Sequence, residues 1–336
     1  MMQTTIRIAT AGLMLLCTQS LRADDAQVKK SQAALTAASA DDDFAIQGEY
    51  TGEISLGDDD IELGSQVIAQ GDGKFHTVAY VGGLPGDGWD EERTREFDLR
   101  IENNVAVHRG DDFSVTIKDG EFIVENRNGD EVGRLQKIQR KSTTIGKQPP
   151  KNAMVLFDGT SAEHFQGGRV SKDGLLIQGA TSLRKFQDCT LHLEFMLSYM
   201  PHNRGQDRSN SGCYLQGRYE VQILDSFGLS GEQNECGAIY GVRAPTLNMC
   251  YPPLSWQTYD IDFTAAKFNE KGEKTSDARM TVSHNGVTVQ NNVKVPQATR
   301  AAPLKEGADP GPLFIQDHSN PLRFRNIWIA ERPKAN

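Results

Sequence analysis

From residue 44 onward the chain alternates apolar and polar residues with a period of two, and almost no window keeps a helical period over three turns. Such a chain must bury one face of each of many short strands, which restricts it to sheets packed on sheets or closed on themselves. Between residues 44 and 140 the alternating runs are 76–81, 105–109, 113–117, 121–125 and 131–138. Asp119-Gly120 and Asn128-Gly129 separate consecutive runs and are strong hairpin signals, because both central positions of a tight hairpin turn need a left-handed backbone. These residues are expected to form a small β-meander domain. Residues 141–152 include Pro149-Pro150, which cannot sit inside a sheet, and read as a linker.

Residues 153–332 are richer still in strands. Period-two runs occur at 190–197, 212–216, 219–225, 256–263, 279–284, 287–290, 313–318 and 323–329. Eight such runs in one domain predict a two-sheet antiparallel sandwich, so the fold class is all-β.

The first residues have a different character. Arg7, an apolar stretch from Ile8 to Leu16, and Ala23 ahead of Asp24 follow the order of a secretory signal peptide over residues 1–23. The apolar stretch is far shorter than the roughly 20 residues that span a bilayer. The mature chain is therefore expected to start near Asp24 and to work in the periplasm or outside the cell. Residues 24–43, rich in Ala, Ser, Asp and Lys, read as a flexible linker. The formal charge is −9 and grows more negative once Arg7 and Arg22 are removed, which makes nucleic acid and anionic membrane poor partners. Cys189, Cys213, Cys236 and Cys250 allow three disulfide pairings, of which sequence selects none.

In a strand, residues two apart share a face. Residues 219–225 put Val221 and Ile223 on one face and Glu220 and Gln222 on the other; residues 190–197 put Leu191, Leu193 and Phe195 inward and His192 and Glu194 outward. Ser209-Asn210-Ser211-Gly212 leads into one strand and Gln316-Asp317-His318-Ser319-Asn320-Pro321 closes another. An outward face of this kind is ordinarily just solvated. Here, though, short carboxylates and planar amides gather with aromatics, the groups that bind sugar hydroxyls and pyranose faces.

The string from Ser209 to Ser226, SNSGCYLQGRYEVQILDS, resembles the signature of the 3-keto-disaccharide hydrolase domain family. Leu156-Phe157-Asp158-Gly159-Thr160, Leu191-His192-Leu193-Glu194-Phe195, Trp256-Gln257-Thr258-Tyr259-Asp260 and Gly311-Pro312-Leu313-Phe314-Ile315-Gln316-Asp317-His318, with Asn320-Pro321 and Arg323-Phe324-Arg325-Asn326-Ile327, fit in order. The chain has His164-Phe165 where that family commonly has Gly-Trp. The resemblance covers residues 154–331 and leaves 44–140 without a role. It implies a concanavalin A-like jelly roll whose concave sheet binds glycosides oxidised at C3, with motif positions at Asn210, Glu220, Gln222, Asp225, Gln316, His318 and Asn320.

A C3 ketone acidifies the proton on C2, so a base can remove it and expel the anomeric oxygen, after which water adds to the enone. His318 or Glu220 is the candidate base, and Asn210, Gln222 or Arg323 the candidate donors to the enolate oxygen. Glu194, Asn210, Glu220, Gln222 and His318 are expected to line one concavity, with Asp225, Gln316, Asn320 and Arg323 as further substrate contacts. No cofactor motif is evident, although a divalent ion could share the enolate charge. Such a substrate implies an upstream sugar 3-oxidoreductase. Two rivals stand beside this reading. A noncatalytic carbohydrate-binding or adhesion module shares the fold class. A retaining glucanase needs two carboxyls about 5.5 Å apart, and the nearest string, residues 96–102, lies outside the sandwich.

Overall fold

The computed structural model describes residues 33–57 and 59–332, so the expected signal peptide lies outside them. The described chain is built of strands and three single 3₁₀ turns. β1 (Gly48–Leu56), β2 (Asp59–Gly71), β3 (Lys74–Val81), β4 (Thr94–Glu102), β5 (Val105–Arg109), β6 (Phe113–Lys118), β7 (Glu121–Asn126) and β8 (Glu131–Ile138) form a meander that closes, β8 pairing antiparallel with β1. Tyr50, Val67, Phe75, Leu99, Val115, Ile117, Phe122 and Leu135 fill the barrel interior.

Residues 34–43, expected to be flexible, instead seal this barrel together with Phe44. Ala34 exchanges backbone bonds with Tyr199 of the sandwich, whose hydroxyl donates to Asp41 Oδ1 at 2.7 Å and whose ring meets Phe44 edge to face at 5.2 Å. Asp43 accepts from the Gly73 amide at 3.0 Å. The alanines and aspartates carry no period that would betray this, because the contacts that tie them to the barrel and the sandwich are to distant residues.

Past the barrel come β9 (Ala153–Phe157), β10 (Phe165–Gln166), β11 (Leu176–Ile177), β12 (Ala180–Phe186), β13 (Cys189–Met196), β14 (Ser211–Leu215) and β15 (Tyr219–Ile223). They are followed by β16 (Trp256–Thr264), the ribbon of β17 (Lys267–Phe268) and β18 (Lys274–Ser276), β19 (Ala278–His284), β20 (Val287–Val295), β21 (Gly311–Ile315) and β22 (Arg323–Glu331). One sheet has the order β10-β12-β21-β14-β15; the other runs β11-β22-β13-β16-β19-β20, with β9 on β22. The two sheets pack face to face over Leu191, Leu193, Phe195, Cys213, Val221, Ile223, Tyr259, Leu313, Ile315 and Phe324, all essentially buried. This is the all-β two-sheet sandwich that the alternation predicts, in the jelly-roll form that the resemblance implies.

Barrel and sandwich are parts of one compact unit from Ala33 onward. Ile68, Val78, Tyr80 and Leu84 of the barrel join the core of the sandwich. Arg140 pins the junction: it donates to both oxygens of buried Glu49 at 2.9 and 2.5 Å and to Pro85 O at 2.7 Å, and its guanidinium lies 4.8 Å from the Tyr251 ring centroid. All four described cysteines are buried free thiols. No helix among the described residues is long and apolar enough to cross a membrane.

Candidate functional site

Alternation along β14, β15 and β21 sends Cys213, Leu215, Val221, Ile223, Leu313 and Ile315 into the core, which leaves Gly212, Tyr214, Glu220, Gln222, Phe314 and Gln316 on the opposite face of the five-stranded sheet. Register then brings them together. Tyr214 stands opposite Glu220, and Gly212 opposite Gln222. Gln316 Nε2 donates to the Tyr214 hydroxyl at 3.3 Å, and Tyr214 in turn hydrogen-bonds the Glu220 carboxyl.

Glu220 is only 2 % exposed. Burial pushes its pKa up to about 8, against an opposing effect of the Tyr214 hydroxyl. Burial also raises the Tyr214 phenol, and the neighbouring Glu220 adds to this. A carboxyl that holds a proton at neutrality beside a neutral phenol and an amide is equipped for proton transfer to a bound molecule. The room for that carboxyl exists because residue 212 is glycine: a Cβ there would overlap Glu220 Oε1 and lie 2.7 Å from the Tyr214 ring. Gly212→Ala is therefore expected to displace Glu220 and cut turnover about tenfold or more while the core beneath stays packed, to be checked by steady-state kinetics alongside thermal unfolding.

Beside this centre lies a cluster of amides. Gln206, on the single turn Gly205–Asp207, accepts through Oε1 from Asn210 Nδ2 at 3.1 Å and from Gln222 Nε2 at 3.0 Å, and donates to Asn234 O at 2.9 Å. Because Gln206 takes the amino ends of both partners, the Asn210 carbonyl oxygen points away from it and stays buried without a partner. Asn320 Oδ1 accepts the Asn210 backbone amide at 2.8 Å. Ser209 and Ser319, each just before one of these asparagines, hold left-handed backbones with φ of 46° and 66°. Such strain in non-glycine residues is commonly kept where a site needs it.

The structure thus gathers Glu220, Gln222, Asn210, Gln316 and Asn320, but places other expected members elsewhere. Glu194 belongs to β13 of the seven-stranded sheet, and its outward face is the opposite side of the sandwich. There residues 141–147, expected as a plain linker, strap over it: the Gly146 amide donates to Glu194 Oε1 at 2.6 Å, Arg325 Nε to Oε2 at 2.7 Å, and Asn326 Nδ2 to Oε1 at 2.9 Å. Burial alone would raise the Glu194 carboxyl, but His192 and these donors outweigh it and hold it down to about 2. His192 is wholly buried against Trp328, and its Nδ1 lies 3.0 Å from Asp260 Oδ1.

Asp225 is likewise structural. Its carboxylate takes Arg208 Nε at 2.6 Å and the Phe227 amide at 3.3 Å, and Arg208 reaches on to Ala69 O of the barrel at 3.3 Å. Arg323 stands on β22 opposite Ile177 and Met196, again on the seven-stranded sheet. His318 is exposed, two residues past the Gln316 that bonds Tyr214. Sequence reasoning passed over Tyr214, which the alternation on β14 identifies, and Gln206, which sits in irregular chain with no pattern to mark it. Among the described residues no three His, Cys, Asp or Glu side chains cluster closely enough to hold a metal ion, so no step is assigned to one.

No curated protein matches the chain. Among solved structures, a candidate glycosyl hydrolase from Parabacteroides distasonis ATCC 8503 is 32 % identical over 55 % of this chain and 85 % of that one, with a TM-score of 0.49. Another from the same organism is 15 % identical, covers 58 % of this chain and 100 % of that one, and has a TM-score of 0.40. A model of the 3-keto-alpha-glucoside-1,2-lyase-like domain matches residues 152–330, more than half of the chain and all but the last residue of the sandwich strands. The chain belongs to the 3-keto-alpha-glucoside-1,2-lyase-like domain family.

Proposed function

We propose that the sandwich cleaves glycosides whose sugar ring carries a ketone at C3, by elimination followed by hydration. The observation that carries this reading is Glu220, a buried carboxyl bonded to Tyr214 and, through it, to Gln316. In the first step a base takes the C2 proton, the C–H electron pair forms the C1=C2 double bond, and the C1–O bond breaks. Glu220, protonated below about pH 8, gives its proton to the departing oxygen. Tyr214 and Gln316 are the donors beside it and suit the oxygen of the enolate. His318, in the exposed chain just past β21, is assigned as the base, imidazole being the side chain most often used for this.

In the second step water adds at C1, Glu220 takes back a proton from it, and the base returns its proton to C2. The sum is one water consumed per glycosidic bond. Direct hydrolysis would require a second carboxylate near Glu220, and β14, β15 and β21 offer none. The buried Asn210 carbonyl suits a sugar hydroxyl as acceptor. The reading includes export through residues 1–23 and a sugar 3-oxidoreductase as the source of substrate.

The test incubates the purified protein with 3-oxidised disaccharides and their unoxidised parents. Release of the free second sugar from the oxidised forms alone is expected. Equal cleavage of the parents would overturn the keto-dependent mechanism, and binding without turnover of either would make the protein a carbohydrate-binding module.

A further inference from the structure

The glycine-rich segment 82–88 has no place in that chemistry, yet it helps fasten the barrel to the sandwich. Leu84 is fully buried in the sandwich core, Pro85 O accepts from Arg140, and a Cβ on Gly86 would lie 2.6 Å from Met249 Sδ. Gly86 holds φ at +72°, so both its conformation and its contact demand glycine. The segment ends at Trp89, whose ring meets Tyr80 edge to face at 5.0 Å and whose indole nitrogen donates to Arg93 O.

Trp89 and Tyr80 form the barrel side of a cleft of about 360 Å³ at the junction; Leu229 and Asn248 form the sandwich side, and Glu91 and Glu92 stand at the rim. This volume falls in the usual range of ligand clefts, which favour junctions between structural units. Leu229 is 43 % exposed, apolar surface turned to solvent across from the aromatic pair. Among the described residues the Glu91 and Glu92 side chains have no hydrogen bond or ion pair, so their oxygens can accept from a ligand. Among the described residues no Lys, Arg or His lines the cleft, which disfavours uronates and sugar phosphates. Gly228, Leu229 and Ser230 of its wall belong to the loop that follows β15 and ends near Asn234, whose carbonyl accepts from Gln222.

We propose that this cleft is a second saccharide-binding site, one that takes a neutral pyranose stacked on Trp89 with hydroxyls donated to Glu91 and Glu92. Apolar pyranose faces pack on indole and phenol rings, and free carboxylates are strong acceptors for sugar hydroxyls. The site is separate from Glu220 and operates whether or not the sandwich is catalytic.

The protein has three tryptophans, so the indole N–H signals of ¹⁵N-labelled full chain resolve the question. Titration with maltose and with cellobiose is expected to shift the Trp89 signal and leave Trp256 and Trp328 in place. Trp89→Ala should weaken the association about tenfold or more. Leu229→Lys, which fills the cleft from an exposed position without opening the core, should do the same if Trp89→Ala unfolds. The shift should persist in Glu220→Gln, which separates this site from the proposed catalytic one. An unmoved Trp89 signal at tens of millimolar disaccharide overturns the proposal, as does a shift caused by tetramethylammonium and not by the disaccharides, which would make the cleft a cation site.

Discussion

Glu220→Gln is expected to lower turnover of a 3-keto disaccharide by roughly 10²-fold or more, while the protein becomes more stable at alkaline pH. The two effects have one cause. Burial favours the protonated carboxyl, which is why it holds its proton up to about pH 8 in the folded chain against 4.5 in the open one. Between those values the folded state carries one proton more than the unfolded state, so stability falls as pH rises through that window, at about 1.4 kcal/mol per pH unit at most. Glutamine keeps the shape and cannot ionise. Its variant should lose this part of the pH dependence, and the gain over the native chain should be greatest above pH 8. Denaturant unfolding from pH 4 to 9 measures it. Turnover in the native protein should also fall above about pH 8, as the acid loses its proton. If unfolding of the two proteins runs in parallel over the whole range, Glu220 is not the titrating group and its assignment as acid fails.

Asp225→Ala is expected to cost about 3–5 kcal/mol, the cost of leaving a buried guanidinium without its partner. Arg208 is about as buried as Asp225, and one of its terminal nitrogens already lacks a bond, so nothing nearby can replace the carboxylate. The same arginine reaches Ala69 O, and losing its anchor should loosen the barrel from the sandwich. For a chain of this size the melting temperature should drop on the order of 10 °C. Were Asp225 instead a sugar contact, the substitution would weaken substrate binding and leave the melting temperature nearly unchanged. A thermal scan and a KM measurement on one preparation distinguish the two.

Much of the fold can be read along single strands. Tyr219-Glu220-Val221-Gln222-Ile223 shows which side chains share a face, because that depends only on the pleat of one strand, and here the inward set is buried as the pattern requires. Hairpin turns at Asp119-Gly120 and Asn128-Gly129 are equally local, and both link paired strands. Closure of the barrel through β1 and β8 joins residues about ninety apart, a contact no local pattern records.

What the sequence by itself determined is the all-β class, the family, and the outward placement of Glu194, Glu220 and Gln222, since each rests on short-range alternation or on a string of adjacent residues. Only the tertiary structure decided that Glu194 and Glu220 face apart. Their strands lie in two sheets packed back to back, so side chains that leave the core in opposite sheets leave in opposite directions. Tertiary contact also decided the fate of the carboxylates. Glu194 is held ionised by the strap and by Arg325, Asp225 is spent on Arg208, and Glu220, buried with no cation beside it, keeps the proton that the proposed chemistry needs.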